Sequence, residues 1–185
     1  IENALKLFSQ KGFYNTTIPD IANAMKMSVG NMYNYFSSKE ELAKFAIKYS
    51  TNILATELRE VNNMDVTSKE KIYIFVRKYL ENVQKSPEII EYFLRVYLSN
   101  REVFKQGCEG FLCVGEFVTE VMILLDVGAQ KKEFREQDFF PAFGMLMGCL
   151  GGFAFLSGEN VLDKDLLSYS DAVADNIFRA LKYDE

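Results

Sequence analysis

Helix-start signals recur along the chain and constrain its fold more than any other feature. Three tetrapeptides, Thr17-Ile-Pro-Asp20, Ser38-Lys-Glu-Glu41 and Thr67-Ser-Lys-Glu70, place a hydroxyl side chain three residues before an acid, and the second and third match the full capping-box pattern. In this arrangement the hydroxyl accepts a hydrogen bond from a backbone N–H of the first helical turn, and the acid accepts one from the N–H of the capping residue. Apolar residues follow each signal at helical spacing, and no alternating β-branched run competes with it. The pattern predicts an all-α fold.

The start signals and apolar spacing divide the chain into nine predicted helices. Ser86-Pro87 adds a further start, because proline at the first helical position loses no hydrogen bond there. Since Ile1 already falls inside a helical pattern, we expect the natural chain to have residues before it. We predict a head at 1–48 and a larger body at 49–185. The predicted helices are 1–11, 17–25, 29–35, 38–62, 67–85, 87–105, 109–132, 139–157 and 166–182.

Residues 17–35 have the pattern of a helix-turn-helix: two short helices joined by a tight turn at Lys26-Met-Ser28. The predicted buried stripes are Ile21, Ala22 and Met25 on the first helix and Val29, Met32 and Phe36 on the second. The side chain of Ala22 is small, which suits a close crossing of the two helices. The pattern therefore predicts a unit whose second helix is free to contact DNA.

The outward face of that second helix carries uncharged hydrogen-bonding groups of low bulk. The amide of Asn31 suits a base edge in the major groove, and the hydroxyls of Tyr33 and Tyr35 suit phosphates. Thr17 and Ser28 cap helix N-termini, which attract anions, although both would serve as caps without DNA. Each tyrosine alone is also compatible with a half-buried packing role.

The motif Gly30-x-x-Tyr33-x-Tyr35-Phe36-x-x-Lys39-Glu40-x-Leu42 resembles the signature of the tetracycline-repressor (TetR) family, preceded by its usual Gly12-Phe-x-x-Thr-Thr17 and Ile21-Ala22. The resemblance covers about the first 48 residues. It implies a three-helix DNA-binding head, a helical ligand-binding body, homodimerisation through the last two long helices, and repression relieved by ligand. Pro19 and Asn34 depart from the family pattern. Positions that commonly contact DNA in the family correspond to Thr17, Ser28, Gly30, Asn31, Tyr33, Tyr35 and Lys39.

Charge is distributed unevenly along the chain. Residues 1–48 hold six lysines against four acids, a net charge of +2, and the remainder holds 15 basic against 22 acidic residues, a net charge of −7. This asymmetry favours a small head that binds a polyanion, attached to an acidic body. Lys39 is either one of the phosphate-binding charges of that head or a solvated surface lysine.

The chain has no histidine, which excludes Ser-His-Asp and Cys-His catalysis and most metal-assisted hydrolysis. It shows no cofactor motif, so we predict no catalytic residues, no metal site and no cofactor. No basic segment precedes an apolar run at the start, so no secretory signal is evident. Three cysteines are too few for a disulfide framework and fit a reduced, cytoplasmic setting. We interpret Cys108 and Cys113 as buried thiols in preference to oxidation sensors.

Residues 139–158 form a run of 20 residues without a charge, long enough to span a bilayer. Five glycines and Pro141 dilute its hydrophobicity, and acids flank it on both sides, so we favour a dimer interface over a membrane span. We expect this helix and the 166–182 helix to pair with their symmetry mates as a four-helix bundle. The predicted interface residues are Gly144, Gly148, Gly151, Gly152, Ala174, Ile177, Phe178 and Leu181.

The body is rich in aromatic residues and methionines at helical spacings. Each of them alone is explained by core packing, but together they favour an apolar cavity for a small hydrophobic or aromatic effector. The predicted pocket residues are Phe75, Tyr79, Phe93, Tyr97, Phe117 and Met145. The sequence thus predicts a cytoplasmic, dimeric repressor that binds a palindromic double-stranded operator and is released by an effector. The alternatives are a helical small-molecule carrier without DNA binding and, least favoured, an enzyme.

Overall fold

The computed structural model describes residues 1–109 and 111–183, and within these ranges the chain forms nine α-helices and no β-strand. The predicted all-α fold is therefore confirmed. A π-helical segment, Tyr92–Tyr97, continues the sixth helix, and a short 3-10 turn, Leu166–Tyr169, precedes the ninth. The helices are α1 (Glu2–Lys11), α2 (Ile18–Ala24), α3 (Val29–Tyr35), α4 (Lys39–Asn62), α5 (Ser68–Lys85), α6 (Pro87–Glu91), α7 (Gly115–Gln130), α8 (Phe139–Gly158) and α9 (Ser170–Leu181).

Complete capping boxes form at α2 and α5, whereas the sequence predicts them at α4 and α5. The hydroxyls of Thr17 and Thr67 accept from the third helical N–H of α2 and α5, and the paired carboxylates accept from the capping N–H. The signal at α4 forms in part: Glu41 N–H donates to Ser38 Oγ, but the Glu41 carboxylate accepts from Ser37 N–H at 2.6 Å. The helix starts were thus predictable because each depends on residues only three or four positions apart.

The helices predicted at 87–105 and 109–132 are shorter than expected. Helical structure of the first ends at Tyr97, turns occupy residues 98–107, and α7 begins only at Gly115. Gly107 has a φ of +79°, in the left-handed region that glycine adopts without steric cost. Gly107 is the last residue of these turns, and further turns at residues 111–114 lead into α7.

The expectation of reduced thiols at Cys108 and Cys113 is wrong. The two cysteines form a disulfide whose Cα atoms lie 4.9 Å apart, within the usual span for such a bond. Cysteine spacing alone did not indicate the bridge, because the pairing depends on a turn between the two cysteines, in which Leu112 N–H donates to the Glu109 carbonyl at 3.1 Å. Cys149, on α8, is a free thiol.

The chain divides into two compact units. The first unit contains Ile1–Asn52 and Pro87–Gly115, and the second contains Ile53–Ser86 and Glu116–Glu185. In the first unit the ring of Phe8 lies 5.8 Å from that of Tyr92, and the Tyr92 hydroxyl donates to the Ala43 carbonyl at 2.9 Å. Residues 87–115 therefore pack with the helices of the head. The functional division predicted at residues 48 and 49 stays a prediction.

In the second unit α5 packs against α8 and α9, and the last two turns of α4 are held by polar contacts. Arg59 donates to the carboxylates of Glu116 and Glu120, each at 2.7 Å, and Asn62 donates to Glu120 at 3.0 Å. Glu120 is buried, so these donors offset the cost of removing its charge from water. The network fixes the second half of α4 to α7.

The face of α8 that carries its glycines is exposed. Among the described residues, α8 is the one helix long and apolar enough to cross a membrane. Only 17% of its most apolar 18-residue stretch is buried inside the chain. Ala142, Leu146, Leu150 and Ala154 form its buried stripe. Phe140 and Phe155 are 66% and 60% exposed, on the same side as Gly144, Gly148 and Gly152. The single chain thus leaves a long apolar surface uncovered, which we call the α8 surface.

The prediction that α9 supplies interface residues needs correction. Ala174, Ile177 and Leu181 are fully buried within the second unit, where α9 packs on α5. Phe178 lies with its ring 6.4 Å from that of Phe134 and is half-buried. The side chains of Ala174, Ile177 and Leu181 fill the core of their own chain and are not available to a partner, whereas the interface role of Phe178 stays a prediction. The amphipathic pattern of α9 was recognised correctly, but sequence alone did not distinguish an inner core from an interface.

Candidate nucleic-acid interface

A tight turn between α2 and α3 sets the geometry of the candidate interface. Lys26 N–H donates to Asn23 O at 3.0 Å and Met27 N–H donates to Ala22 O at 2.8 Å, the bond pair of a Schellman helix end. Lys26 has a φ of 54°. The predicted turn at Lys26-Met-Ser28 is therefore confirmed, with a lysine in the left-handed position that glycine usually occupies.

The inner face of the two helices is apolar, as the spacing predicts. Ile21 and Ala22 of α2 and Met32 of α3 are buried, and the ring of Phe36 packs 5.5 Å from that of Phe45. Val29 is 37% exposed, so its assignment to the buried stripe is wrong. It lies at the first position of α3, directly after the capping Ser28.

The outer face of α3 is open to solvent along its whole length. Tyr33 and Tyr35 are 53% and 67% exposed, and Gly30, Asn31 and Asn34 are also exposed. Met32, between them in sequence, is 2% exposed, so one side of a short helix is anchored while the other is free. The structure thus brings Gly30, Asn31, Tyr33 and Tyr35 onto one accessible helix, with Val29 as an apolar addition that sequence analysis missed.

Gly30 has no role in the packing of its own chain. A side-chain carbon built at this position would have no neighbour within 4 Å, and the backbone is not in the left-handed region. Glycine inside a helix costs about 0.5–1 kcal/mol relative to alanine. The missing side chain therefore favours close approach by something outside the chain.

Thr17 and Ser28 cap α2 and α3 as predicted. Ser28 Oγ accepts from Asn31 N–H at 3.1 Å, and Thr17 Oγ1 accepts from Asp20 N–H at 3.2 Å. The Thr17 hydroxyl also donates to the Asp20 carboxylate at 2.8 Å, which lowers the pKa of that carboxyl below its ordinary value. Both hydroxyls lie at exposed helix N-termini, where unpaired backbone N–H groups favour anions.

Lys39 holds the start of α4 to the loop that follows α1. Its ammonium donates to the Phe13 carbonyl at 2.9 Å and lies 4.3 Å from the centre of the Phe13 ring. Two of the three ammonium hydrogens remain available for other acceptors. Lys39 is therefore a structural contact in this conformation, and its phosphate contact stays a prediction.

The predicted ligand-pocket residues are divided between the two units. Phe93 and Tyr97 stack in the first unit with ring centres 5.4 Å apart, and Phe75 packs 6.2 Å from Phe117 in the second. Tyr79 is buried on α5, and Met145 is half-buried on α8. Tyr97 lines a cavity of about 490 Å³ in the first unit. The use of these six residues as one pocket stays a prediction.

The second unit contains a half-open cleft of about 500 Å³ along α7 and the start of α8. Its walls are mainly apolar and include Met122, Leu125, Phe134 and Phe139. The charged groups at its edge are Asp126, Arg135 and Glu136. None of the six predicted pocket residues lines this cleft.

Residues 1–45 match the sequence profile of the family described as "Bacterial regulatory proteins, tetR family". The biofilm operon icaADBC HTH-type negative transcriptional regulator IcaR of Staphylococcus aureus (strain Newman) is 26% identical over 98 residues, 53% of this chain and 50% of that protein. The uncharacterized HTH-type transcriptional regulator YuxN of Bacillus subtilis (strain 168) is 49% identical over 49 residues, 26% of this chain and 17% of that protein. The chain thus matches half the length, or less, of these two relatives, and both are named as regulators.

Two solved structures share the fold over nearly the whole chain. The transcriptional regulator FadR from Bacillus subtilis, solved in complex with stearoyl-CoA, has a TM-score of 0.83 at 20% identity, covering 97% of this chain and 96% of that one. The TetR family regulator PfmR from Thermus thermophilus has a TM-score of 0.72 at 20% identity, covering 96% of each chain. The resemblance seen in the sequence motif is therefore confirmed by the family match and by the shared fold.

Proposed function

We propose that this chain, whose residues 1–45 match the tetR family of bacterial regulatory proteins, is a dimeric, DNA-binding transcriptional repressor. The outward face of α3 is the observation that carries the proposal. This face is exposed and mainly polar, with the apolar Val29 at its start. It also contains Gly30, which the packing of the chain does not require. These properties suit insertion of a short helix into a major groove.

Each residue of the candidate interface has a proposed role. The Asn31 amide reads a base edge, Val29 contacts a thymine methyl group, and Gly30 permits close approach of the helix. The hydroxyls of Tyr33, Tyr35, Thr17 and Ser28 bind phosphate oxygens, with a charge contribution from Lys39. The exposed positions of the tyrosines and of Asn31 support this assignment.

The proposed repressor is a homodimer formed through the α8 surface. Two exposed phenylalanines and a stripe of glycines on that face favour burial against a flat apolar partner, and a second copy of the same helix offers one. A dimer presents two α3 helices to successive major grooves, so the proposed operator is palindromic. The proposed setting is the bacterial cytoplasm.

The proposed effector is a small molecule with a substantial apolar or aromatic part. The apolar cleft of about 500 Å³ and the buried aromatic residues of the second unit support this class. FadR of Bacillus subtilis, which shares the fold, was solved with stearoyl-CoA bound. Binding would favour a conformation of the body in which the two heads no longer match successive grooves, and so release the operator.

The experiment that tests the proposal is capture and sequencing of genomic DNA fragments at low salt, followed by titration of the enriched site. We expect a palindromic site whose affinity falls steeply between about 50 and 200 mM salt, because each phosphate contact releases counterions. Asn31→Ala should relax base preference at one position of each half-site by about 1–3 kcal/mol. Asn34→Ala, on the same helix but not assigned a base, is the matched control.

The alternative, a small-molecule carrier without DNA binding, predicts a different outcome. It would bind apolar ligands tightly and enrich no genomic fragment at any salt concentration. That result would overturn the repressor proposal. A site whose affinity is the same at low and high salt would also contradict it, since phosphate contacts would then be absent.

A further inference from the structure

The Cys108–Cys113 disulfide closes a short loop between α6 and α7 in the first unit. Disulfides are rare in the cytosol of mesophiles, and those that form there are usually transient, catalytic or redox-sensing. A cytoplasmic regulator, as proposed above, has no evident need of a permanent bridge in a unit with its own apolar core. The bridge is therefore a candidate for reversible chemistry.

One cavity of the first unit is open to solvent beside Cys108 but not beside Cys113. This cavity of about 490 Å³ is lined by Cys108 together with Tyr97 and Phe104, and Cys113 is not part of its lining. A molecule entering from solvent therefore meets Cys108 first. Both cysteines are otherwise buried.

Charged side chains of both signs surround the cavity beside Cys108. Arg101, Lys105, Glu102 and Glu109 line it. Glu102 accepts a hydrogen bond from the Tyr14 hydroxyl at 2.8 Å, and Glu109 accepts one from Gly107 N–H at 3.0 Å, so both carboxylates are engaged. These hydrogen bonds leave both carboxylates charged, so the lining holds two cations and two anions. The position of Cys108 at the cavity, and not an excess of positive charge, therefore distinguishes it from Cys113.

The second cysteine is connected to α4, the helix that follows α3. The Thr51 hydroxyl lies 3.1 Å from the Cys113 carbonyl and 2.9 Å from the Ile47 carbonyl of its own helix, and it is buried. A hydroxyl has one hydrogen to donate, so Thr51 bonds either the loop or its own helix at any moment. A change in the position of the Cys113 carbonyl changes which bond forms.

We propose that Cys108 and Cys113 form a reversible thiol–disulfide site that senses low-molecular-weight disulfides and transmits their presence to α4 through Thr51. With the bridge formed, the loop holds its carbonyl against Thr51. With the bridge reduced, the loop relaxes and α4 loses that contact. The effect on DNA binding rests on the proposed function, whereas the effect on α4 does not.

The oxidation balances as two exchange steps. The Cys108 thiolate attacks one sulfur of the disulfide RSSR, forming a mixed disulfide and releasing one thiolate RS⁻. The Cys113 thiolate then attacks the Cys108 sulfur and displaces the second RS⁻. The two protein thiols supply the two protons that the released RS⁻ groups take up, and two electrons pass to the reagent.

The first test equilibrates the full-length chain with glutathione buffers from mostly reduced to mostly oxidised. The state of each cysteine is fixed by alkylation and measured by mass spectrometry. We expect the 108–113 bridge to form and break within this range, and Cys108→Ser to abolish it, while Cys149→Ser leaves it unchanged. A pair that stays reduced, or stays bridged, in every buffer overturns the proposal.

The second test measures amide hydrogen exchange of α4 around Thr51 in the two redox states. We expect about five-fold faster exchange in the reduced state, the size expected from loss of one buried hydrogen bond. Thr51→Val should remove the difference without preventing bridge formation, and Thr51→Ser should retain it. Equal exchange of α4 in both states overturns the proposal.

The operator affinity of the two redox forms is a separate measurement, and we expect it to differ by about five-fold if α4 positions the head. Failure to bind DNA in either redox state would contradict the proposed function alone. The thiol and exchange measurements would still decide the redox site.

Discussion

Among single residues, two glycines differ in why the position holds no side chain: packing inside the chain explains Gly128 but not Gly30. A side-chain carbon at Gly128 would lie 2.1 Å from the Phe134 ring, so packing inside the chain requires glycine there. At Gly30 the same carbon would meet nothing within 4 Å. Glycine at an open helical position lowers stability, so its presence on α3 favours an external partner as the reason.

Gly30→Ala tests this reason directly. We expect the variant to be more stable by about 0.5–1 kcal/mol, because alanine favours the helical backbone. We also expect operator affinity to fall, because the added methyl group holds α3 away from the groove. Chemical denaturation and DNA titration measure the two effects. Asn34→Ala is the control, and unchanged operator affinity of Gly30→Ala would contradict the assigned role of Gly30.

A second residue-scale prediction concerns acid stability. The Thr67 hydroxyl and then its backbone N–H lower the pKa of the Glu70 carboxyl below its ordinary value of 4.5. A lowered folded pKa means that the contribution to stability is present above about pH 4.5 and is lost as the pH falls through the folded pKa.

Glu70→Gln should therefore flatten the acid limb of the stability curve. Glutamine keeps the capping hydrogen bonds but carries no charge, so the variant isolates the titration. Thermal unfolding from about pH 6 to about pH 2.5 measures the effect, with Glu40→Gln as an exposed control. If the stability of Glu70→Gln falls with decreasing pH as steeply as that of the unmodified chain, protonation of the Glu70 carboxyl does not contribute to the loss of stability in acid.

Among the helices, α8 and α9 show how similar apolar content leads to different surroundings. The stripe of α9 is buried on α5 within the chain, whereas the glycine-bearing face of α8 is exposed and carries Phe140 and Phe155. Glycines at 144, 148 and 152 have open space around them, which leaves a flat surface that another helix could approach closely. The proposed dimer therefore depends on α8 more than on α9.

Phe155→Glu tests the role of this helix. A carboxylate in the middle of an apolar interface carries a desolvation cost of several kcal/mol, so we expect the dimer to dissociate at micromolar concentration. Analytical ultracentrifugation measures the change. Thr56→Glu places the same charge on an exposed position of α4 and should leave the dimer intact. A Phe155→Glu variant that remains dimeric would show that the dimer interface does not include this part of α8.

For the whole molecule, the chain builds its two compact units from interleaved segments. Residues 87–115 belong with residues 1–52, although 34 residues of the second unit separate them in sequence. Phe8 on α1 and Tyr92 in the π-helical segment join these two segments, and the Tyr92 hydroxyl extends the contact to Ala43. Residues 87–115 thus contact α1 and α4, the helices that precede and follow α2 and α3 in sequence.

Phe8→Ala should reveal this interleaving. Removal of a buried phenylalanine costs about 3–5 kcal/mol, through lost transfer energy and the cavity that remains. We expect native-state hydrogen exchange to accelerate in residues 1–52 and 87–109 together, with a smaller change in α5. Val76→Ala, in the core of the second unit, should accelerate exchange mainly in α5 and change it less in residues 1–52 and 87–109. Exchange confined to residues 1–52 in Phe8→Ala would contradict a shared unit.

The local features of this protein were determined by the sequence. The capped starts of α2 and α5, the turn at Lys26-Met-Ser28 and the outward position of Asn31 each depend on hydrogen bonds or side-chain directions within a few residues. Such interactions form within one short segment, so whether they form depends little on residues distant in sequence. The helix-turn-helix and its candidate contact face were therefore predictable before any tertiary contact was known.

Tertiary structure decided what depends on residues distant in sequence. It placed Ala174, Ile177 and Leu181 in the core of their own chain, joined residues 87–115 to the head, and brought Cys108 to Cys113. An apolar stripe has the same spacing whether its own chain or a partner covers it. Only the packing of the complete chain distinguishes the two, because the burial of a side chain is a property of everything that surrounds it.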